Sequence, residues 1–416
     1  MRRPISEIRR SCSALRAISD VRPDSTMPSR TQPLQRLAAA HAERARRGLL
    51  RRVRTIEAVE GAHVWIGGRR LLSFASNDYL GLAQHPALCE ALVAAAAQWG
   101  VGATAAHLLG GHREEHGALE DALARWTGRE RALLFVDGWA ANLGVVSALL
   151  SRGDVCVQDR LDHASLIDAA RFAGCELKRY PHGDAEGARR QLRSRPHAAA
   201  LVASDGVFSM DGDVAPIRAL AAVCADENAL LMIDDAHGLG VLGPDGAGSV
   251  AEAGSTQHEV PILMATLGKA LGVAGAFVAG RAELIDALVQ HARTYIYATA
   301  MPPALAAAAR AAIDVARFEG WRRDRLARLI RYFRAGAATS GLMLTDSRTP
   351  IQAVLVGTSA AALSASTKLE DAGFYVPAIR PPTVPEGKAR LRITLTALHS
   401  ESDVDRLIDA LGTALA

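Results

Sequence analysis

Disulfide and zinc patterns are missing from this 416-residue chain. Its five cysteines, Cys12, Cys89, Cys156, Cys175 and Cys224, form no Cys-x-x-Cys pair, and no Cys/His group has zinc-finger spacing. Single scattered cysteines are expected as small buried hydrophobes in a reducing, cytoplasmic setting, and no metal site is expected. No apolar run approaches the roughly 18 residues of a membrane span, so no membrane partner is expected. Aromatic residues make up only 5%. None occurs in residues 1–54, where fourteen arginines face Glu7, Asp20, Asp24 and Glu43. That arm carries +10; the whole chain carries +4, so the remainder carries −6. A basic arm with nothing to stack on bases argues against nucleic-acid binding. Residues 1–30 also lack a sustained hydrophobic period and are expected to be a disordered extension. Their acidic residues speak against an organellar transit peptide.

What is present is a globular composition, 49% hydrophobic and 22% charged, in a chain long enough for two cores. After Pro33, Leu34, Leu37, Ala38 and His41 share one helical face, and the segment closes at Leu49-Leu50-Arg51-Arg52. Val64-Trp65-Ile66, Gly67-Gly68 and Leu71-Leu72-Ser73-Phe74 read as a hairpin. Residues 31–75 are therefore expected to form a helix and hairpin. Short apolar runs follow at 132–136, 155–157, 198–203, 229–233, 262–266 and 274–279, separated mostly by amphipathic segments of helical length. This alternation predicts a mostly parallel sheet covered on both faces, within a large domain over 76–305. A long helical stretch over 303–337 leads into residues 306–416, expected as a linking helix and a smaller α+β domain. Its strands are expected near 353–356 and 391–395 and its last helix from about Ser400.

The functional residues of such a sheet belong at the carboxyl ends of its strands. Lys269, in Thr266-Leu267-Gly268-Lys269, follows one apolar run; Asp234 and His237, in Ile233-Asp234-Asp235-Ala236-His237, follow another. A lysine and a carboxylate so placed predict a Schiff-base lysine and an acidic partner for a pyridine ring. That is the layout of pyridoxal 5′-phosphate (PLP) enzymes of the aspartate-aminotransferase fold. Gly272 and Gly275 bring backbone close to Lys269, which would desolvate its amine. Taken singly, Lys269 also reads as a surface residue, Asp234 as a helix cap and His237 as a satisfied loop histidine. His163, in Asp159-Arg160-Leu161-Asp162-His163-Ala164-Ser165, is placed to stack on a ring or to begin a capped helix. Gly138-Trp139 opens a helical run whose N–H groups suit a phosphate, and Thr266 and Thr299 offer hydroxyls. Ser209 lies in an acidic turn, Gly206-Val207-Phe208-Ser209-Met210-Asp211-Gly212-Asp213, where metal binding is the weaker alternative. Arg380, before Pro381-Pro382-Thr383-Val384-Pro385, offers a guanidinium for a carboxylate or is an exposed residue of a proline loop.

Together with Ser76-Asn77-Asp78-Tyr79-Leu80-Gly81-Leu82, Asp234-Asp235-Ala236-His237-Gly238 and Met301-Pro302-Pro303, these segments resemble the α-oxoamine synthases from about residue 33 to the C-terminus. These are PLP enzymes that condense an amino acid with an acyl thioester. The resemblance implies a PLP-dependent transferase of fold type I: α/β, with a large mostly parallel sheet domain and a small C-terminal α+β domain. It implies a homodimer with shared active sites. It further implies that Lys269 carries PLP, Asp234 keeps the pyridine nitrogen protonated, His163 stacks on the ring, and Ser209 and His237 bind the cofactor. Gly138, Trp139 and Thr266 would take the phosphate, with Thr299 reaching in from a second subunit. Arg380 and Thr383 would contact substrate, Asn77 would lie near the site, and Arg51 would meet the acyl end. Within the family, Ala378-Ile379-Arg380-Pro381-Pro382-Thr383-Val384-Pro385 and Arg390-Leu391-Arg392-Ile393-Thr394-Leu395-Thr396-Ala397 resemble members that join L-alanine to a pimeloyl group carried by coenzyme A or acyl carrier protein. The alternatives are a glycine-using member and an aminotransferase. Four features depart from the family pattern. The stretch 102–111 has fewer glycines, Asp205 and Leu239 stand where Glu and Thr or Ser are common, and Trp139 replaces a smaller aromatic.

Overall fold

A computed structural model describes residues 32–416. The extension expected over residues 1–30 lies outside the described residues. The chain divides into two compact units between Val53 and Arg54. The first contains helix α1 (Pro33–Arg46), which starts on a proline whose fixed φ suits a first helical position and ends on Arg44 and Arg46, cations favoured at a helix C-terminus. No residue of α1 is buried within its unit.

The second unit opens with antiparallel strands β1 (Ala58–Glu60), β2 (His63–Ile66) and β3 (Arg69–Ser73). Gly67 and Gly68 turn the expected hairpin with φ of 60° and 74°, where a side chain would be strained. Helices α2 (Pro86–Trp99) and α3 (Glu114–Thr127) lead to an alternating series: β4 (Arg131–Phe135), α4 (Gly138–Leu149), β5 (Val155–Asp159), α5 (Ala164–Ala173), β6 (Glu176–Tyr180), α6 (Ala185–Arg193), β7 (Ala200–Asp205), α7 (Ile217–Asp226), β8 (Leu230–Asp234), α8 (Ser249–Glu252), β9 (Ile262–Thr266) and β10 (Ala276–Gly280). Then come α9 (Ala282–His291), α10 (Arg293–Ile296), α11 (Pro303–Phe318), α12 (Trp321–Thr339), β11 (Ile351–Gly357), α13 (Ser359–Asp371), β12 (Phe374–Tyr375), β13 (Ala378–Ile379), β14 (Ala389–Thr394) and α14 (Glu401–Leu415).

Seven strands form one sheet in the order β4-β10-β9-β8-β7-β5-β6. All neighbours are parallel except β10, which runs antiparallel to both β9 and β4. The predicted strands are present. An additional one, β6, was not predicted, because Glu-Leu-Lys-Arg-Tyr is an edge sequence without an apolar run. Successive side chains serve opposite faces: Ala132 and Leu134 of β4 join one core cluster, Leu133 and Phe135 another. The stretch predicted as one helix over 303–337 is two, α11 and α12, separated by Glu319 and Gly320. The C-terminal sheet, β11-β14-β13, is antiparallel, and β12 instead joins β3 in parallel.

The turn 206–213 clamps the C-terminal sheet to the large one. Gly212 has φ of 78°, and a Cβ there would sit 2.2 Å from the Ile351 carbonyl oxygen. The Ser347 and Thr349 hydroxyls both donate to the Gly212 carbonyl, at 2.9 and 2.8 Å. The turn's carboxylates are engaged: Asp211 pairs with Arg390, and Asp213 lies 2.8 Å from His182 Nε2.

Candidate active site

Because β7, β8 and β9 are parallel neighbours, Asp205 and Asp234 end side by side on one sheet edge, Thr266 ends β9 two residues beyond Asp234's partner Met264, and Lys269 follows three residues after β9. The two adjacent aspartates have separate fates. Asp235 is fully buried, its oxygens accepting from Ser249 N–H at 2.8 Å and Ser249 Oγ–H at 2.6 Å, and burial pushes its carboxyl up to about 7. Asp234 accepts from the Ala236 N–H at 3.1 Å through Oδ1 and from Asn142 Nδ2 at 2.9 Å through Oδ2. Asn142, buried on α4, also donates to Ser165 Oγ at 2.8 Å. Sequence reading missed it because an asparagine within an apolar helical run looks like any interior position.

Burial lowers the Lys269 pKa from its usual value; Asp234 and Asp205 oppose that shift and Arg392 adds to it. His163 caps α5, its Nδ1 within 2.8 Å of Ser165 Oγ, and its ring meets Trp139 edge-on at 5.9 Å between centroids. The ring opens onto solvent yet has protein around most of it, and desolvation is the first cause of its lowered pKa. Asp234 opposes that shift and Lys269 reinforces it. His237 is buried, with Nδ1 2.5 Å from the Tyr79 hydroxyl; desolvation and then the Lys269 and Arg392 charges hold it far below its usual pKa. Burial in turn raises Tyr79 to about 12. Lys269 thus lies within electrostatic reach of Asp234, Asp205, His163, His237 and Arg392, as the sequence predicted for four of these six residues.

Arg392, on β14, lies in the stretch 390–397, whose sequence alone suggested no role for it. It is buried, with Nε donating to the Ser209 carbonyl at 2.7 Å, one terminal nitrogen to Thr394 Oγ1 at 2.9 Å, and both terminal nitrogens to Asn77 Oδ1 at 3.3 Å. Asn77 and Ser209 therefore reach the site through Arg392. No carboxylate among the described residues pairs with it.

The residues fit PLP. The Thr266 hydroxyl is buried and has no partner among the described residues, as an intended phosphate donor would be without its ligand. A Cβ on Gly138 would sit 2.8 Å from Thr266 Cγ2, so only glycine leaves α4's first turn open toward that hydroxyl. N–H groups of Gly138 and Trp139 belong to that turn and have no intrahelical acceptor. The other expected residues are exposed or half-buried. Thr299 is exposed and forms an isolated bridge with Ala106. Half-buried Arg380 accepts through its carbonyl from the N–H of exposed Thr383 at 3.1 Å, in the loop between β13 and β14. Arg51 is in the first unit and exposed.

A half-buried lysine with a lowered pKa, a carboxylate held by two hydrogen bonds, an imidazole and an unpartnered buried hydroxyl beside a helix N-terminus meet on this sheet, the layout of a PLP-dependent enzyme of fold type I. Residues 69–411 match the family Aminotransferase class I and II. The chain is 55% identical over 359 residues to the 8-amino-7-oxononanoate synthase of Xylella fastidiosa (strain 9a5c), covering 86% of this chain and 90% of that one. It is 54% identical over 392 residues to that of Xanthomonas campestris pv. campestris (strain B100), covering 94% and 96%. Among solved structures, serine palmitoyltransferase from S. paucimobilis with bound PLP and myriocin superposes with a TM-score of 0.88 at 27% identity, covering 92% of this chain and 98% of that one. The 8-amino-7-oxononanoate synthase of Francisella tularensis superposes with a TM-score of 0.73 at 27% identity, covering 82% and 97%. The chain belongs to the aminotransferase class I and II family, and within it to the family of the 8-amino-7-oxononanoate synthases.

Proposed function

We propose that the enzyme joins L-alanine to a pimeloyl thioester with loss of CO2, releasing 8-amino-7-oxononanoate and the free thiol for biotin biosynthesis. The observation that carries this reading is the meeting of Lys269, the Asn142–Asp234 pair and the carboxylate-free Arg392 at one strand edge, in a chain 55% identical to a synthase of that name. PLP supplies an electron sink for the pair left on an amino acid's Cα. The chain's residues do the rest. Lys269, with its amine pushed toward neutrality by desolvation, takes the Cα proton and later returns one. Asp234, aimed by Asn142 and the Ala236 N–H, holds a proton at the ring nitrogen. Neutral His163 covers one ring face without competing for that charge. The Tyr79–His237 pair offers a hydrogen bond to the ring's phenolic oxygen. A buried guanidinium without an anion is costly, so Arg392 takes the substrate's α-carboxylate. Arg380 and Thr383 contact the acyl substrate.

Thiol release measured with alanine, glycine or serine against pimeloyl-CoA tests the reading. Alanine should be strongly preferred. A preference for glycine overturns the substrate assignment, and amino-group transfer without any thioester overturns the reaction class. A homodimer with shared sites belongs to the same reading, Thr299 completing the phosphate site of the partner. Inactive Thr299→Arg and Lys269→Ala chains should then complement on co-expression, because one mixed site regains both residues; confirmed heterodimers without activity count against sharing. The described residues contain no helix long and apolar enough to cross a membrane. A cytoplasmic setting goes with the proposed pathway and with free thiols at Cys89, Cys156, Cys175 and Cys224.

A further inference from the structure

The sequence predicted no metal site, yet the fold gathers three histidines from a ten-residue stretch. His107 lies in a short helical turn, His112 in the following loop and His116 in the first turn of α3. Their ring centroids form a near-equilateral triangle with sides of 5.2, 5.2 and 5.4 Å. One nitrogen from each ring lies within 4.8 Å of the other two. None of the residues assigned to cofactor or substrate is among them. We propose that His107, His112 and His116 bind one divalent transition-metal ion of the zinc class.

The existing hydrogen bonds favour this arrangement. His107 Nδ1 and His112 Nδ1 face each other at 3.0 Å, so a single proton lies between two lone-pair positions. Two imidazole nitrogens on a tetrahedral zinc ion, each about 2.0–2.1 Å from it, stand about 3.3 Å apart. Replacing that proton by a metal ion therefore needs a separation of a few tenths of an ångström. The far side of His116 already has the acceptor that metal-bound histidines use, and a carboxylate stands near the far side of His112, beyond hydrogen-bond distance. His112 Nε2 lies 3.9 Å from Glu120 Oε2, and His116 Nε2 donates to the Met301 carbonyl at 2.8 Å. His116 Nδ1 now accepts from the Arg113 N–H at 2.8 Å, and it would exchange that bond for the metal. The Arg113 guanidinium is turned away, onto the carbonyls of Gly110 and Ala103. Desolvation, followed by neighbouring imidazoles, keeps His107 at about 3 and also lowers His112, so the rings are in the neutral, ligating form at pH 7.

The ion would act as a staple. His107 stacks on Tyr295 with centroids 4.9 Å apart, the Ala300 N–H donates to the Ala105 carbonyl at 3.0 Å, and Ala106 bridges Thr299. A metal at the three rings ties residues 102–116 to this segment and steadies the stretch between α10 and α11 that carries Thr299.

The holoenzyme, washed with chelator, is titrated with Zn2+ and separately with Co2+ as an optical probe. The expected result is one ion per chain, visible Co2+ bands of low-coordinate type, and a melting temperature that rises with Zn2+. His112→Ala, a change at an exposed side chain, should weaken binding by about 100-fold or more and remove the thermal shift. Glu120→Gln should weaken it about 10- to 100-fold. Failure of the wild-type enzyme to take up an ion, bands of the hexaaqua type, or equal binding by His112→Ala each overturns the proposal. Should the variant not fold, the wild-type stoichiometry and Co2+ bands decide alone.

Discussion

Asp234→Asn exchanges a charge for a dipole with little change of volume, and the structure sets the size of its effect. An ionised carboxylate beside a ring nitrogen raises that nitrogen's pKa by about 1–3 units. At about 1.4 kcal/mol per unit, losing the charge removes about 1.4–4 kcal/mol from the step that needs a protonated ring. That is about 10- to 1000-fold in kcat. Stability also falls, because both oxygens of Asp234 now accept, from Asn142 Nδ2 and the Ala236 N–H, and an amide keeps only one of those acceptors. The structural loss is about 1–3 kcal/mol. Asp235→Asn is the built-in control. Asp235 makes two bonds to Ser249 and none to Asn142, so its substitution should cost similar stability and leave kcat nearly unchanged. Steady-state rates at saturating alanine and pimeloyl-CoA, cofactor absorbance and urea melts separate the two effects. If Asp234→Asn turns over normally while Asp235→Asn fails, the assignment of the ring partner is refuted.

Lys269→Ala should abolish turnover and the visible absorbance of the bound cofactor together; an absorbance spectrum retaining the band would remove the covalent assignment. Arg392→Gln keeps an amide donor for Asn77 but deletes the charge, so the KM for alanine should rise by about 10-fold or more, following loss of a charge-assisted bond of about 1.5–3 kcal/mol, with the KM for the thioester little affected; equal effects on both would argue against a carboxylate contact. His399 is fully buried, stacked on Phe74 at 4.2 Å, and burial lowers it from 6.5 to about 4. The unfolded chain therefore binds more protons than the folded one between those values, and stability falls as pH drops through that window, by about 3 kcal/mol from this group. In His399→Leu that share of the pH slope should vanish; chemical denaturation at pH 4.5 and 7 would show an unchanged slope if the reasoning is wrong.

Much of the sheet was legible because parallel strands buried on both faces read as uninterrupted apolar runs, as Leu-Leu-Met-Ile and Ile-Leu-Met-Ala do. Edge strand β6 was hidden by its own exposure. The helix break at Gly320 was hidden because amphipathic patterns run on through both α11 and α12. Lys269, Asp234, His163 and His237 could be found since a sheet's chemistry collects at strand ends. Asn142, Tyr79 and Arg392 act through contacts made far along the chain: 92 residues for Asn142 to Asp234, 158 for Tyr79 to His237 and 315 for Arg392 to Asn77. No local pattern encodes such pairings. The three histidines escaped for another reason: they span a short turn, a loop and a helix start, so no fixed spacing brings them together.

The hairpin between β9 and β10 has a consequence for how this protein can vary. Thr266 pairs with Ala276 across the ladder, and the loop between them closes on itself, Leu267 N–H to Gly275 carbonyl at 2.9 Å and Val273 N–H to Leu267 carbonyl at 2.9 Å. Thr266 and Lys269 are thereby set by a local measure of chain length rather than by distant packing. A residue inserted between them would leave the ladder intact and carry the lysine off its mark. A residue inserted within β9 would turn the hydroxyl to the other face. Surface loops such as the one at Gly341, where a Cβ meets nothing within 4 Å, should accept added length; this nine-residue loop should refuse it, and an insertion scan scored for cofactor binding would show the contrast.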